Sequence, residues 1–331
     1  MKKINKRTVL SASIAAAALA ATTACGAVEG ESGSDGSLPV VKFAATAMPS
    51  SIGTVAAVIE AENLDEACGI NLDPLSFAPD AAETAVLSGQ ADVGYFGFNS
   101  WAGSDEKLSK LAMLAPLQTE HGVLFVPEDS SAQSLEDLKG KKIALLPPVS
   151  GQFNDFQMLV AQMGMDLESD FEMVTGPPPA VEAFLKRGEV DAAILFEPNA
   201  TNLKLGGGYR RLFALDAKWE EITGNPLYML GITANQEWFE GHADEAACAV
   251  EAIQEAGRLL AEDASVYEGL AEDLGAKDDE HLSLLMENLG SIYSTETAEE
   301  AEPAVADQLK VAKELGLVTS VPETIFESLE G

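Results

Sequence analysis

The sequence predicts an α/β protein of two strand–helix series with mostly parallel sheets, followed by a helical section that packs back on the first series. Three observations carry this. Short apolar runs alternate with amphipathic stretches from Leu38 to about residue 120. The alternation begins again after that point and continues to Asn199. From Gln236 onward nearly every segment has helical spacing and no further strand is evident. Strands separated by helices of about ten residues pair in parallel through right-handed crossovers. A helical tail with no sheet of its own must bury its apolar faces on a domain that already exists.

In the first series, Val40–Ala45 reads as a strand, residues 46–51 as a loop, and Ile52–Ala67 as a helix stopped by Gly69, a good residue for the left-handed turn after a helix. Ile70–Phe77 is the second strand, which tolerates Pro74 if it lies at an edge. Asp80–Ser88 is a helix with an acidic start, and Ala91–Phe96 a strand. In the second series, Ser134–Asp137 resembles a capping box before a single turn, and Lys142–Leu146 is a strand. Phe153–Met163 is a helix closed by Gly164, and Phe171–Thr175 a strand. Pro178–Arg187 is a helix opened by proline, and Val190–Phe196 a strand. Leu227–Thr233 is a last strand, ahead of helices at Ala243–Glu262, Val266–Leu274, Glu280–Leu289 and Thr297–Leu315. A chain that ends this way leaves the first domain, builds the second, and returns.

The start of the chain has its own pattern. A cationic heptad, Met1–Arg7, precedes an uncharged, Ala-rich stretch from Thr8 to Ala24, which is the layout of a secretory signal. The stretch is short and weakly apolar for a membrane span. The run Thr22-Thr23-Ala24-Cys25 resembles the lipobox of bacterial lipoproteins, with Thr22 in place of the usual large aliphatic residue. That resemblance implies residues 1–24 as signal peptide and Cys25 as the acylated mature N-terminus. The alternative is an ordinary cleaved signal with an incidental cysteine. Residues 25–37 are Gly, Ser and acid, and read as a flexible tether.

Charge excludes partners. The 331 residues carry 20 Lys and Arg against 54 Asp and Glu, a net of −34, and loss of the basic leader makes it more negative still. Nucleic acid is excluded as a partner, because phosphate binding needs clustered Lys and Arg. Docking on an anionic membrane through protein charge is disfavoured, which leaves a lipid as the only expected membrane contact. Such a shell suits a saline or alkaline medium, a monomer kept apart by charge, and a thermal stability that rises from low to molar salt. After Cys25 only Cys68 and Cys248 remain. In an oxidising compartment they can pair as a disulfide; in Ala-rich helical patterns they can equally pack as small core residues. No Cys/His spacing marks a metal site, and no cofactor motif is present. Gly206-Gly207-Gly208-Tyr209 lacks the Lys and hydroxyl of a phosphate loop, and neither a Gly-x-Ser-x-Gly elbow nor a His-Glu-x-x-His helix occurs.

Two phrases point to a family: Leu87-Ser88-Gly89-Gln90-Ala91-Asp92-Val93-Gly94 and Gly188-Glu189-Val190-Asp191-Ala192-Ala193-Ile194. Each is a helix end, a glycine turn, and an Asp entering an apolar strand. With Leu135-Glu136-Asp137-Leu138-Lys139-Gly140-Lys141-Lys142-Ile143-Ala144 between them, the chain resembles the substrate-binding lipoproteins of ABC importers. It is most similar to their nitrate/sulfonate/taurine and thiamine-precursor-like group, over Leu38 to about Ser320. The resemblance implies a two-lobe type II periplasmic-binding-protein fold. Residues 38–120 would form the first part of lobe 1, 121–226 lobe 2, and 227–331 the return strand and C-terminal helices of lobe 1. Crossings are expected near Leu117–Val126 and Pro226–Thr233. It further implies closure on a ligand, delivery to a membrane permease with its ATPase, and no chemistry by the protein itself. Alternatives are a ligand-sensing lipoprotein for a membrane receptor, or an enzyme of the thiamine-precursor-like group, which the secretory signal disfavours.

The ligand is expected outside the carboxyl ends of the strands, where helix N-termini offer unpaired N–H groups. The candidate residues are Met48, Ser50 and Ser51; Phe98, Asn99 and Ser100; Ser150, Gly151 and Gln152; and Phe196 and Glu197. Gln118-Thr119-Glu120-His121 is a further candidate near the first crossing. None of these loops carries Lys or Arg. Glu197, Glu120, Asn99, Gln152 and the aromatics suit a neutral or cationic organic ligand, with Phe98 and Trp101 stacking on it. Hydroxyls, amides and helix ends leave a sulfonate- or nitrate-like anion open. Phe98 can also be a core residue, Glu197 a helix cap, and Ser51 and Ser150 plain N-caps.

Overall fold

A computed structural model describes residues 38–148 and 150–329. The expected leader, the tether and Cys25 lie outside these residues. The first series runs β1 (Val40–Thr46), α1 (Ser51–Glu62), α2 (Leu64–Cys68), β2 (Asn71–Phe77), α3 (Pro79–Leu87), β3 (Val93–Gly97), α4 (Phe98–Trp101), α5 (Asp105–Lys110) and β4 (Leu111–Thr119). The second runs β5 (Val123–Pro127), a 3-10 turn (Glu136–Leu138), β6 (Lys142–Leu145), α6 (Gly151–Gln162), α7 (Leu167–Asp170), β7 (Glu172–Thr175), α8 (Pro178–Lys186), β8 (Ala192–Leu195), α9 (Asn199–Gly206), β9 (Tyr209–Ala214) and α10 (Leu215–Thr223). The chain then returns as β10 (Tyr228–Asn235), α11 (Gln236–Phe239), α12 (Ala243–Glu262), α13 (Ser265–Glu268), α14 (Asp279–Gly290) and α15 (Ala298–Glu314).

Two five-stranded sheets result, in the orders β2-β1-β3-β10-β4 and β7-β6-β8-β5-β9. They are mixed rather than mostly parallel. β1 is parallel to β2 and β3, and β6 to β7 and β8. But β10 runs antiparallel to both its neighbours, and so does β5. The antiparallel pairings involve the strands that carry the chain between the sheets, β4 into β5 and α10 into β10. A strand arriving from the other sheet is not bound by the crossover rule that makes βαβ units parallel.

The family-like phrases have a physical role. Asp92 Oδ2 accepts the backbone N–H of Lys42 at 2.8 Å, and Asp191 Oδ2 accepts that of Lys142 at 2.9 Å. In each sheet one carboxylate therefore ties the residue before a strand, β3 or β8, to that strand's parallel neighbour, β1 or β6, and satisfies a backbone donor there. The glycines of the two turns, Gly89 and Gly188, have φ of 71° and 67°, which only glycine adopts freely.

The helix expected over 52–67 is two helices. Asn63, with φ 54° and ψ 42°, breaks it; asparagine tolerates this left-handed geometry and its N–H still reaches Ile59 O. The helix expected over 266–274 is only the turn α13. β2 is an edge strand, so Pro74 costs no second ladder. α12 packs on α1, α2 and β4, and α15 on α4, β4 and β10, so the C-terminal helices cover the first sheet. A disulfide joins Cys68, at the end of α2, to Cys248 on α12. No described helix is long and apolar enough to cross a membrane.

Apolar packing is continuous. One core runs from the first sheet through Phe156, Met158 and Leu159 of α6 to Leu124, Ile143 and Ile194 of the second. A smaller core, with Phe125, Val181, Leu185 and Leu203, fills the opposite face of the second sheet under α8 and α9.

Candidate ligand site

Where the two sheets meet, α6 of the second series packs on α4, α15 and β10 of the first sheet's half. What fills the junction is polar. Asn99 follows β3, Gln118 ends β4, Glu120 lies in the crossing to β5, and Gln152 and Asp155 stand on the first turns of α6; all five are at most 4% exposed. Asn99 Nδ2 donates to Asp155 Oδ1 at 2.6 Å, which links the first sheet's loop to the second sheet's helix. Glu120 Oε1 accepts from Gly122 N at 2.7 Å. A Cβ on Gly122 would sit 2.7 Å from Glu120 Oε1 and 3.1 Å from Gln152 Nε2, so this glycine lets both side chains crowd the crossing. Ser51 Oγ donates to Gln118 Oε1 at 3.3 Å, and Tyr293 OH to Ser51 O at 2.8 Å, which fixes the start of α1 beside the cluster.

The carboxyl groups of Glu120 and Asp155 lie close enough in this buried cluster to act on each other, an arrangement that favours one proton between them. Burial raises both above the ordinary carboxyl range, and the charge of Glu120 pushes Asp155 up further. Asp216, on α10, adds a third negative group acting on Glu120, and is itself raised by burial. His121 lies tilted against Phe196, ring centroids 4.9 Å apart and planes at 47°, and burial lowers its imidazole to about 4, so it is neutral here. Among these buried groups, Asn99 Oδ1, Gln118 Nε2 and Gln152 Nε2 have no partner, and Glu120 Oε2 meets no N–H donor. Buried polar atoms are almost always satisfied by protein or ordered water, so several at one junction make it the candidate site for water or a bound solute.

The expected residues fall into two groups. Asn99 and Gln152 are in the cluster, Ser51 touches it through Gln118, and Phe196 borders it through His121. The rest hold local structure. Ser50 Oγ accepts from Gly53 N at 3.0 Å and caps α1; Ser150 Oγ accepts from Phe153 N at 3.3 Å and caps α6. Ser100 Oγ is taken by Lys107 Nζ at 2.9 Å, and Met48 Sδ accepts from Thr54 Oγ1 at 3.6 Å. Gly151 opens α6, with open space where a Cβ would be. Glu197 Oε2 accepts from Thr201 N at 3.2 Å, a cap for α9, and burial raises its carboxyl. Phe98 and Trp101, expected to stack on the solute, are core residues in this structure. Phe98 is fully buried, edge-on to Tyr228 and Phe326, and Trp101 Nε1 donates to Leu111 O. As the first helical turn after β3, this segment turns its aromatics into the core and leaves Asn99 toward α6.

Asp155 escaped the sequence reading because mid-helix acids are usually solvated. A signal was present: Gln152, Asp155, Phe156 and Leu159 follow the i, i+3, i+4, i+7 rule, which puts the acid on the apolar face.

This topology and junction can be set against known proteins. The profile of the family described as "ABC transporter, phosphonate, periplasmic substrate-binding protein" matches residues 60–224. The chain belongs to the periplasmic substrate-binding proteins of ABC transporters. Among solved structures, the aliphatic sulphonate binding protein SsuA of Escherichia coli superposes with TM-score 0.68 at 19% identity, over 88% of this chain and 98% of that one. The alkanesulfonate-binding SsuA of Xanthomonas axonopodis pv. citri, bound to MOPS, gives 0.65 at 18%, over 87% and 96%. The nitrate-binding NrtA of Synechocystis PCC 6803 gives 0.62 at 12%, over 87% and 83%. At these identities the likeness is one of fold. As a substrate-binding protein of this class, the chain is the extracytoplasmic component of an ABC import system, where a small solute is bound and passed to a permease.

Proposed function

We propose that this substrate-binding protein captures one small solute at the junction of its two sheets by hinge closure, and that the described conformation is the closed one. The observation that carries this is the buried Asn99–Asp155 bond, because it joins α4 of one half to α6 of the other, the helices that follow β3 and β6 at their carboxyl ends. Two connections at 120–122 and 224–227 link the halves, and they lie side by side, Glu120 N donating to Leu227 O at 2.7 Å. Paired connections of this kind suit a hinge. Residues 38–120 with 227–331 then move as one lobe and 121–226 as the other. Ser51, Asn99, Gln118, Glu120, Gln152, Asp155 and Phe196 form the contact set. The protein performs no reaction, works as a monomer, and is held at the membrane by lipid on Cys25 after loss of residues 1–24.

Native mass spectrometry of protein purified from its source is expected to show a co-purified small molecule. Stripping that molecule under partial unfolding and refolding should enlarge the radius of gyration in small-angle scattering. Protein without a bound solute, and with the same scattering profile before and after stripping, would remove the reading. Mass spectrometry of the mature N-terminus tests the anchor: an unmodified residue 25 would refute it.

A further inference from the structure

We propose that the solute is a small organic cation bearing N–H donors, an amidinium, guanidinium or protonated amine, which supplies the counter-ion that Glu120 and Asp155 lack. This rests on the solute-binding reading above and commits its ligand class.

Buried carboxylates are ordinarily paired with a base or a metal. Here they are not. The ion pairs among the described residues are pairs such as Lys110–Glu106, Lys139–Asp170 and Arg258–Glu262; none includes either acid. What acts on the two acids is burial, each other, Asp216 from α10, Asn99 from α4 and the backbone N–H groups of the crossing. His121 beside them is neutral. Arg211, exposed on β9, draws on Glu197 and Asp216 instead. No group of His, Cys, Asp and Glu suited to a metal ion occurs among the described residues. Among the described residues no positive charge answers these two acids, and a bound cation would supply it.

The open valences describe the guest. Asn99 Oδ1 and Glu120 Oε2 are acceptors awaiting donors, and Gln118 Nε2 and Gln152 Nε2 are donors awaiting an acceptor. A cation with N–H groups and one acceptor atom answers all four. An oxyanion answers only the two amides and brings a charge of the wrong sign beside three carboxyl groups. The proton that Glu120 and Asp155 share stands in for the cation when the site is empty of it; the cation takes its place, and one proton leaves for solvent. The ligand class thus departs from the sulfonate and nitrate named for the similar structures.

The test is calorimetric titration of the stripped mature protein with methylguanidinium, acetamidinium and methylammonium chlorides, and with sodium nitrate, ethanesulfonate and ethylphosphonate. At least one cation should bind and no oxyanion. Glu120→Gln and Asp155→Asn should each weaken the cation about tenfold or more, since charge-assisted bonds are lost. In two buffers of different ionisation enthalpy, binding to the unaltered protein should release a proton, a readout that does not depend on the variants folding. Failure of all three cations, binding of an oxyanion, or cation binding without proton release overturns the ligand class. An oxyanion that closes the protein in scattering would do so while leaving the solute-binding reading intact.

Discussion

Asn288 of α14 donates through Nδ2 to Thr201 Oγ1 of α9 at 2.7 Å, a second tie between the returning C-terminal section and the second sheet. It lies outside the buried acid pair. Asn288→Ala removes one side-chain bond at the edge of the junction, worth about 1 kcal/mol. The expected result is a larger average radius of gyration in stripped protein, with the affinity for solute reduced only through the closing equilibrium. An unchanged scattering profile would show that this bond does not hold the halves together.

Protonation of Asp155 gives a second expectation. Its carboxyl is raised above the ordinary range, so the folded state binds more protons than the unfolded chain between the two values. Stability is then fullest at and below the ordinary carboxyl range and declines as pH rises through the raised value. Urea unfolding followed across pH should show this decline in the unaltered protein. Asp155→Asn should flatten it, and parallel curves for the two proteins would dismiss the shared proton.

The disulfide closes a loop of 180 residues between Cys68 and Cys248. Chain-entropy arguments put the loss on removing such a bridge at about 2–5 kcal/mol. Cys248→Ser in the Cys68→Ser background should lower the melting temperature by several degrees without altering solute affinity, because neither cysteine lies near the acid pair.

Phe98→Ala separates packing from recognition. The ring is fully buried against Tyr228 and Phe326, so truncation should cost about 3–5 kcal/mol. The ranking of solutes should stay as it was. A change in which solute binds best would return Phe98 to the contact set.

Much of the fold is legible in the chain because it rests on local periodicity and punctuation. Helix ends at Gly89, Gly164 and Gly188, the Pro178 start of α8 and the Thr297–Glu300 capping box all act over a few residues. Segments whose state depends on distant partners are less legible. β4, β5 and β9 owe their existence to neighbours in the sheet, and their antiparallel sense follows from where the chain crosses. The site divides the same way. Asn99 and Gln152 are recognisable as polar residues in loops at strand tips. Asp155 joins the buried polar cluster only when α6 is laid against α4, and Phe98 is in the core because Tyr228 and Phe326 pack on it from far along the chain.

The place of β10 between β3 and β4 has a consequence for how the molecule is made. Residues 123–214 supply every strand of the second sheet in one uninterrupted stretch, so that sheet can assemble as soon as this stretch is free to fold. The first sheet lacks its fourth strand, the one between β3 and β4, until residues 228–235 arrive. Its earliest strands must wait, with unpaired backbone on facing edges, while the whole second sheet is threaded through. Any factor that shields unpaired edges would find them on the N-terminal third of this chain and few on the middle.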